Sequence, residues 1–360
     1  MRWMSTVASR PHHPLRLSRR RRVLFGAVAT SGFLLVAEVA IRIVRAPTHF
    51  GSFRELRLDM MKRNYPAERD PRLGYAPRPG FASHDNHWGT QVSIDDDGLR
   101  RNGEGAAPPG ERCVVAVGDS FTFGDQVDDA ESWPAHLEVA LQRPVKNGGV
   151  FGYSLAQAVL RAELLLEAFP VEALVVSFVP DDLTRCEYSR RYVPLPWFDL
   201  VGDGLVLQPV PPGADDGDAG SRAWKDALGH SALVDAVLAN TFRAWWYEND
   251  KQRVVPHLVG KGGEIGKRLV DRIAAVCRGR GVRLLVVLQG DTADPAGVDV
   301  IRHAQARGVE ALDLASMFLA AEAAAPGLHA KYFQGHMTDD GNAWVAAQIA
   351  TVLRGPPKGR

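Results

Sequence analysis

Residues 113–126 read CVVAVGDSFTFGDQ, and this stretch decides the fold. Its first part, Cys113 to Val117, is a short apolar run that ends at Gly118-Asp119, which is typical of a fully buried strand. A serine, Ser120, therefore follows the carboxyl end of the predicted strand. Asp and Ser are also frequent helix caps, so this position alone is compatible with a cap as well as with a nucleophile.

The segments that follow alternate between predicted helices and strands. We predict helices over residues 132–142, 154–169, 263–281, 295–308 and 341–355, and strands over 144–149, 172–179, 282–289 and 309–314. Alternation of this kind is typical of a parallel sheet covered by helices on both faces. The predicted fold class is therefore α/β, with a three-layer, doubly wound, flavodoxin-like sheet of five parallel strands.

The N-terminal region predicts a transmembrane helix. Residues 1–22 contain seven arginines and no acidic residue, and Val23–Val44 is apolar except for Glu38 and Arg42, which lie four residues apart on one helix face. Twenty-two helical residues span roughly 33 Å, about a bilayer core. Arginines before the span predict a cytoplasmic N-terminus and an extracytoplasmic body. The alternative is a cleaved signal peptide; we favour an uncleaved anchor, because no small-x-small cleavage site follows near Ala40.

Composition excludes several classes of function. Beyond residue 22 the chain has 36 basic and 42 acidic residues, and an acidic body argues against a nucleic-acid partner. Three cysteines, Cys113, Cys186 and Cys277, predict neither a disulfide framework nor a metal site. We expect Cys113 and Cys277 in the core. We expect no cofactor.

The same patterns predict a domain organisation. We predict a cytoplasmic basic segment (1–22), a membrane anchor (23–44), a stalk and extended lead-in (45–110), and the α/β domain (111–355). An insertion at about 185–262 interrupts the α/β pattern and contains a predicted hairpin (196–212) and an aromatic helix around residues 241–250. Of the adjacent Trp245 and Trp246, we expect one in the core. The acidic run 215–218 is interpreted as a solvated loop rather than a calcium loop.

Polar residues meet at one edge of the predicted sheet. Ser120 follows the first strand, Asn147 and the loop to Gly152 follow the second, and Asp181 follows the third. His336 follows the last strand and one helix. Because ligands of doubly wound sheets bind beyond the carboxyl ends of the strands, we expect these residues to converge. A serine, a histidine and backbone donors are the groups that acyl transfer by a serine requires.

These segments resemble the SGNH (GDSL-like) hydrolases, of a membrane-anchored bacterial type. GDSFTFG (118–124) matches the nucleophile block of that family, NGGVFGYS (147–154) its glycine block and HMTDDG (336–341) its histidine block. The lead-in segments RLGYAPRPG and IDDDGLRRN are similar to those of membrane-anchored members. The resemblance implies Ser120 as nucleophile, His336 as base, and the backbone amides of Ser120 and Gly152 as oxyanion donors. Asp119 is expected to hold the nucleophile turn.

Two positions depart from the family pattern. Asp181 lies where the family has an oxyanion-holding asparagine, and an ionised carboxylate cannot donate a hydrogen bond. A buried Asp181, protonated because of burial and the neighbouring Asp182, would donate. The family also has an aspartate two or three residues before the histidine, where this chain has Gln334 and Phe333. Gln334, or Asp339 or Asp340 from the other side, is a candidate to orient His336.

The sequence predicts an ester hydrolase that acts on acyl esters of the cell envelope, such as groups on polysaccharide or lipid, without metal or cofactor. Two alternatives stay open. An O-acyltransferase would use the same residues with a sugar hydroxyl as acceptor. A catalytically degenerate domain would bind glycan or a partner protein, and the departures at Asp181 and Gln334 favour that reading.

Overall fold

A computed structural model of the chain describes residues 18–46, 48–86, 88–103, 112–191, 193–211, 219–247 and 254–357. Most of the predicted basic segment and the acidic run 215–218 lie outside these described residues. The chain forms two compact units, one of residues 1–58 and 218–247, the other of residues 59–217 and 248–360. The second unit contains the predicted α/β sheet.

Strands and helices are numbered separately along the chain. The strands are β1 (Ala67–Asp70), β2 (Gly74–Pro77), β3 (Ala82–Ser83), β4 (Val92–Ser93), β5 (Cys113–Val117), β6 (Val145–Asn147), β7 (Val171–Phe178), β8 (Tyr188–Arg191), β9 (Val193–Pro194), β10 (Trp197–Val201), β11 (Gly204–Gln208), β12 (Val255–Pro256), β13 (Arg283–Leu288), β14 (Glu310–Asp313), β15 (Phe333–Gln334) and β16 (His336–Met337). The helices are α1 (Arg19–Arg45), α2 (Phe53–Arg63), α3 (Ser120–Phe123), α4 (Trp133–Leu141), α5 (Leu155–Ala168), α6 (Pro180–Arg185), α7 (Ala219–Gly229), α8 (Ala232–Thr241), α9 (Arg243–Trp246), α10 (Gly262–Arg280), α11 (Pro295–Ala306), α12 (Leu314–Ala324), α13 (Leu328–Tyr332) and α14 (Asp339–Arg354).

The central sheet has five parallel strands in the order β14-β13-β7-β5-β6. In chain order this is the 2-1-3-4-5 arrangement of flavodoxin-like folds, so the predicted fold class is confirmed. The order of the strands reverses next to β5, which is the position where doubly wound sheets bind ligands. β5, which leads to Ser120, is therefore one of the two strands at this point of reversal, between β7 and the edge strand β6.

Helices cover both faces of the sheet, as predicted. The side chains of β5 alternate between the faces: Val115 and Val117 pack toward one core, and Val114 and Ala116 toward the other. The first core lies beneath α5, α10 and α11, and the second beneath α4, α12 and α14. All five residues of β5 are buried, because β5 is an interior strand of a parallel sheet that has helices on both faces.

The segment before β5 packs onto the first core. Leu73, Tyr75, Phe81, Ile94 and Leu99 are buried there. The hydroxyl of Tyr75 donates to the carbonyl of Phe151, and the hydroxyl of Tyr153 donates to the carbonyl of Tyr75. The lead-in therefore contacts the loop that contains Gly152, which lies between β6 and α5.

Within the insertion, β10 and β11 form the predicted hairpin, in antiparallel register from Trp197–Gln208 to Val201–Gly204. Residues 219–247 are helical and belong to the other unit. There α9 is a single turn after α8, shorter than the predicted aromatic helix. Trp246 is fully buried and Trp245 is half-exposed, as expected of adjacent helical residues.

The N-terminal unit contains α1. Of the described helices, α1 alone is long and apolar enough to cross a membrane, and it lies near the N-terminus, where a signal sequence has the same properties. Glu38 and Arg42, which lie four residues apart on one face of this helix, form an ion pair at 3.1 Å. Helix α2, which follows it, was not predicted.

Candidate active site

The nucleophile candidate lies where β5 meets α3. Asp119 caps α3, since its carboxylate accepts from the backbone N–H of Phe121 at 3.0 Å. Ser120 is the first residue of α3 and is 6% exposed. Gly118 permits this turn because a Cβ there would lie 2.3 Å from the hydroxyl oxygen of Thr122 and 2.7 Å from the carbonyl of Ser177. Asp119 therefore holds the turn, as expected.

Ser120 and His336 are brought together by the fold. The Oγ of Ser120 lies 2.8 Å from the Nε2 of His336, although the two residues are 216 positions apart in sequence. The β15–β16 hairpin positions the imidazole of His336. The backbone N–H of His336 donates to the side-chain oxygen of Gln126. Burial lowers the pKa of His336, and Arg185 lowers it further against the opposing effect of Asp119. A neutral imidazole at this position can accept the serine proton.

A carboxylate that the sequence analysis missed faces the other nitrogen of the ring. The Oδ1 of Asp125 lies 3.8 Å from the Nδ1 of His336, and within the described structure neither atom has a hydrogen-bond partner. Burial, together with the nearby charge of Asp119, raises the pKa of Asp125 to about 7. The order serine, imidazole and carboxylate is that of a catalytic triad. The 3.8 Å between Asp125 Oδ1 and His336 Nδ1 is longer than a hydrogen bond, and a shift of less than about 1 Å would form one.

Asp125 is placed by a buried arginine of the lead-in. The guanidinium of Arg100, fully buried, donates to the carbonyls of Phe123, Gly124 and Val127, which flank Asp125 on both sides. Gly124 ends α3 with φ +78°, a left-handed conformation that turns the chain sharply. The signal in the sequence was an aspartate five residues after the serine, directly after a glycine that ends the helix.

The residues predicted to orient His336 lie elsewhere. Gln334 is exposed, and its side chain makes no hydrogen bond to the ring in the described residues. Asp339 pairs with His136 at 2.7 Å, and Asp340 lies 3.6 Å from Lys331.

Asp181 differs from the expectation of a buried, protonated carboxyl group. Its side chain is 82% exposed and lies 3.8 Å from Arg185. The neighbouring Asp182 is buried in its place, and desolvation and the charge of Asp119 raise the pKa of Asp182 well above its usual value. This occurs because α6 begins at Pro180, so that consecutive side chains point to different sides of the helix.

Arg185 connects the nucleophile turn to the glycine loop. Its Nη1 lies 3.2 Å from the Oδ2 of Asp119 and 3.0 Å from the carbonyl oxygen of Tyr153, and it also pairs with Asp182. Burial alone would lower the pKa of Arg185, but Asp182 and Asp119 raise it above its ordinary value. A permanent positive charge therefore lies between two buried carboxylates beside Ser120.

Gly152 lies in the loop that Arg185 touches. Its φ of +72° is left-handed, and its carbonyl accepts from Arg191 at 3.0 Å. In the described parts of the chain, the backbone N–H groups of Ser120 and Gly152 make no hydrogen bond. Both are therefore free to donate to a ligand.

A cavity of about 740 Å³ lies elsewhere in this unit, lined by residues that include Gln91, Asn102, Glu138 and Lys146. None of Ser120, Asp125 and His336 lines it. Among the described residues, no group of three or more His, Cys, Asp or Glu side chains is arranged to hold a metal ion.

No protein-family model matches the chain, and no curated protein is similar to it in sequence. Several solved structures are similar. A lipolytic protein of the G-D-S-L family from Desulfitobacterium hafniense is 16% identical, covers 68% of this chain and 100% of its own, and has a TM-score of 0.37.

Two further structures are similar at the same level. A lipase/acylhydrolase from Enterococcus faecalis is 12% identical over 69% of this chain and 100% of its own, with a TM-score of 0.36. A catalytic variant of an acetylxylan esterase from Geobacillus stearothermophilus is 9% identical over 69% of this chain and 96% of its own, with a TM-score of 0.37.

Proposed function

We propose that the protein is a serine-dependent ester hydrolase of the SGNH type. The observation that carries this proposal is the 2.8 Å contact between the Oγ of Ser120 and the Nε2 of His336 at the carboxyl end of β5. A helix-cap serine needs no histidine, because a cap accepts from backbone N–H groups. In this turn Asp119 is the cap, so Ser120 is left for another role.

The proposed reaction follows from these contacts. His336 takes the hydroxyl proton of Ser120 on Nε2 as Oγ attacks the ester carbonyl, which forms a C–O bond and a tetrahedral oxyanion. The intermediate collapses, the ester C–O bond breaks, and the imidazolium returns the proton to the leaving alcohol. Water then attacks the acyl-serine with the same proton transfers in reverse, which releases the acid and restores Ser120.

Three further groups support this reaction in the proposal. The backbone N–H groups of Ser120 and Gly152 donate to the oxyanion. Asp125, when ionised, stabilises the imidazolium that forms 3.8 Å away. Asp181 is exposed, so we assign no oxyanion contact to it.

The serine hydroxyl has a closer acceptor in histidine than in aspartate. Ser120 Oγ lies 2.8 Å from His336 Nε2 and 3.4 Å from Asp119 Oδ2, which also accepts from Arg185. The shorter contact favours donation to the imidazole, which is the contact that the reaction needs.

Location suggests the substrate. With α1 as an uncleaved inner-membrane anchor and the body outside the cytoplasm, the accessible esters are acyl groups on envelope polysaccharide or lipid.

Hydrolysis of p-nitrophenyl acetate by the full chain in detergent tests the reaction. We expect turnover that Ser120→Ala abolishes and Ser316→Ala leaves unchanged, since Ser316 is bonded to Asp313 rather than to an imidazole. Equal turnover in both variants would contradict the proposal.

A further inference from the structure

Helix α7 turns apolar side chains outward and a charged side chain inward. Among its side chains that the structure describes, at positions 223–229, the exposed ones are Ala223, Trp224, Ala227 and Leu228, with Trp224 45% and Leu228 44% exposed. The charged residue between them, Lys225, is only 6% exposed. A helix on a water-facing surface has the opposite arrangement, with its apolar side inward and its charges outward.

The inward charges of α7 are bonded within this unit. The Nζ of Lys225 donates to the carbonyl of Trp245 at 2.9 Å and lies 4.6 Å from the centre of its ring. Asp226 pairs with the buried guanidinium of Arg54. Because these bonds fix the orientation of α7, its apolar side is held outward. Trp245 is half-exposed and its ring contacts that of Trp224 at 5.7 Å, so both belong to one surface.

We call this surface, made of Ala223, Trp224, Ala227, Leu228 and Trp245, the α7 patch. It belongs to the same compact unit as α1. Glu38 of α1 caps α8, since its carboxylate accepts from the backbone N–H groups of Ala232 and Leu233 at 2.9 and 2.8 Å. The last turns of α1 are thus part of this unit, as expected for a helix that stays attached.

Further bonds lock the two segments together. Arg42 donates to the carbonyl of His230 at 2.6 Å, directly after α7 ends. Arg45 pairs at 2.9 Å with Asp235, which is buried and also accepts from the indole N–H of Trp246. The α7–α8 junction is therefore held at the level of Glu38 and Arg42 on α1.

That level corresponds to the edge of a bilayer. Arg22 and Glu38 are separated by about 24 Å of helix, slightly less than the ~30 Å hydrocarbon core. If Arg22 lies at one boundary, then Glu38 and Arg42 lie near the other, and the C-terminal end of α7 lies there with them. Tryptophans are enriched at this depth, where the ring is partly in lipid and its N–H is near water.

We propose that the α7 patch inserts into the lipid interface of the leaflet at the C-terminal end of α1. Its occupant is phospholipid, with Trp224, Leu228 and Trp245 at the boundary of headgroups and acyl chains, as in interfacial amphipathic helices. The unit is then held by the membrane at two places, the span and the patch. This inference rests on the proposed anchoring by α1 and is independent of the proposed catalysis.

Site-directed spin labelling of the full chain in phosphatidylcholine–phosphatidylglycerol vesicles tests this proposal. Labels are placed at Leu228→Cys and, as a second position on the same patch, Ala227→Cys. Leu34→Cys in α1 is the lipid reference, and Val139→Cys, 78% exposed in α4, is the aqueous reference. The native cysteines are buried, and burial raises the pKa of Cys186 and Cys277 to about 12, so they react poorly with the label.

We expect collisions with oxygen to exceed those with a water-soluble nickel chelate several-fold at positions 228, 227 and 34, and the reverse at position 139. Aqueous behaviour at 228 and 227 with lipid behaviour at 34 would overturn the patch and leave the anchor standing. Aqueous behaviour at all four positions would overturn both. Protection from both reagents at 228, with spin–spin broadening between molecules, would assign the patch to a second copy of the chain instead of lipid. Ester hydrolysis by the same samples reports separately on the catalytic proposal.

Discussion

Replacing Asp125 by asparagine should make the protein more stable at alkaline pH and less active. The pKa of Asp125 is raised by burial and Asp119 from 3.8 to about 7. The folded protein therefore binds more protons than the unfolded chain between about pH 4 and pH 7, so the free energy of unfolding falls as the pH rises through this range. The total loss is about 4 kcal/mol, at 1.36 kcal/mol for each pKa unit.

Asparagine does not ionise, so the variant lacks this loss. We expect the stability of Asp125→Asn relative to the parent to increase by about 2–3 kcal/mol between pH 5 and pH 8. Urea unfolding of the full chain in mild detergent at several pH values measures this difference. Asp96→Asn, at an exposed aspartate of the lead-in, is the charge-matched control and should show no such trend. A stability difference for Asp125→Asn that stays flat or narrows with pH would contradict a raised pKa of Asp125 in the folded protein.

The same substitution should lower kcat, because the imidazolium of His336 loses its carboxylate. Loss of the triad aspartate costs up to about 10⁴-fold in other serine hydrolases, and the 3.8 Å separation leads us to expect on the order of 10²-fold here. In the parent, kcat/KM should rise with pH through about 7 as Asp125 ionises and His336 stays neutral. A variant with unchanged kcat and the parental pH profile would remove Asp125 from the mechanism.

Three further substitutions test the framework of the site. Arg185→Gln leaves Asp119 with an unpaired buried charge and should cost about 3–5 kcal/mol by urea unfolding, with partial recovery in Arg185→Lys; equal stability of all three proteins would contradict the role of the charge. Gly118→Ala places a Cβ 2.3 Å from Thr122 and should cost about 1–3 kcal/mol, and should lower kcat more than it raises KM; an unaffected kcat would show that the turn tolerates the methyl group. Arg100→Met removes the donor to four backbone carbonyls and should lower the melting temperature by several degrees; an unchanged value would show that the Asp125 loop is held by other contacts.

Much of the α/β unit could be predicted because its signals are local. The apolar run at Cys113–Val117 is typical of a buried strand, and the pattern at Leu155–Ala168 is typical of an amphipathic helix. Five strands that alternate with helices are compatible with few topologies. The convergence of Ser120 and His336 follows from the sheet, since both lie near carboxyl ends of its strands. The lead-in helix α2 was missed because its charged, Met-rich sequence lies in a region whose overall composition favours extended chain.

The orienting carboxylate could not be located from the sequence. The candidates Gln334, Asp339 and Asp340 neighbour His336 in sequence, whereas Asp125 approaches the ring from the loop after α3, which Gly124 turns and Arg100 holds. Similarly, Asp181 and Asp182 are indistinguishable in sequence, and only the start of α6 determines which is buried. The bonds between α1 and the start of α8 join residues more than 190 positions apart, and no local sequence pattern predicts such a pairing.

Covalent labelling measures whether His336 activates Ser120. The full chain is treated with diisopropyl fluorophosphate, a small probe that reacts preferentially with activated serines, and the adduct is mapped by peptide mass spectrometry. We predict one adduct, on Ser120, that is lost in Ser120→Ala and strongly reduced in His336→Gln, while Ser316→Ala labels like the parent. A folded parent without an adduct, or with its adduct on another residue, would contradict the assignment of Ser120 as the nucleophile.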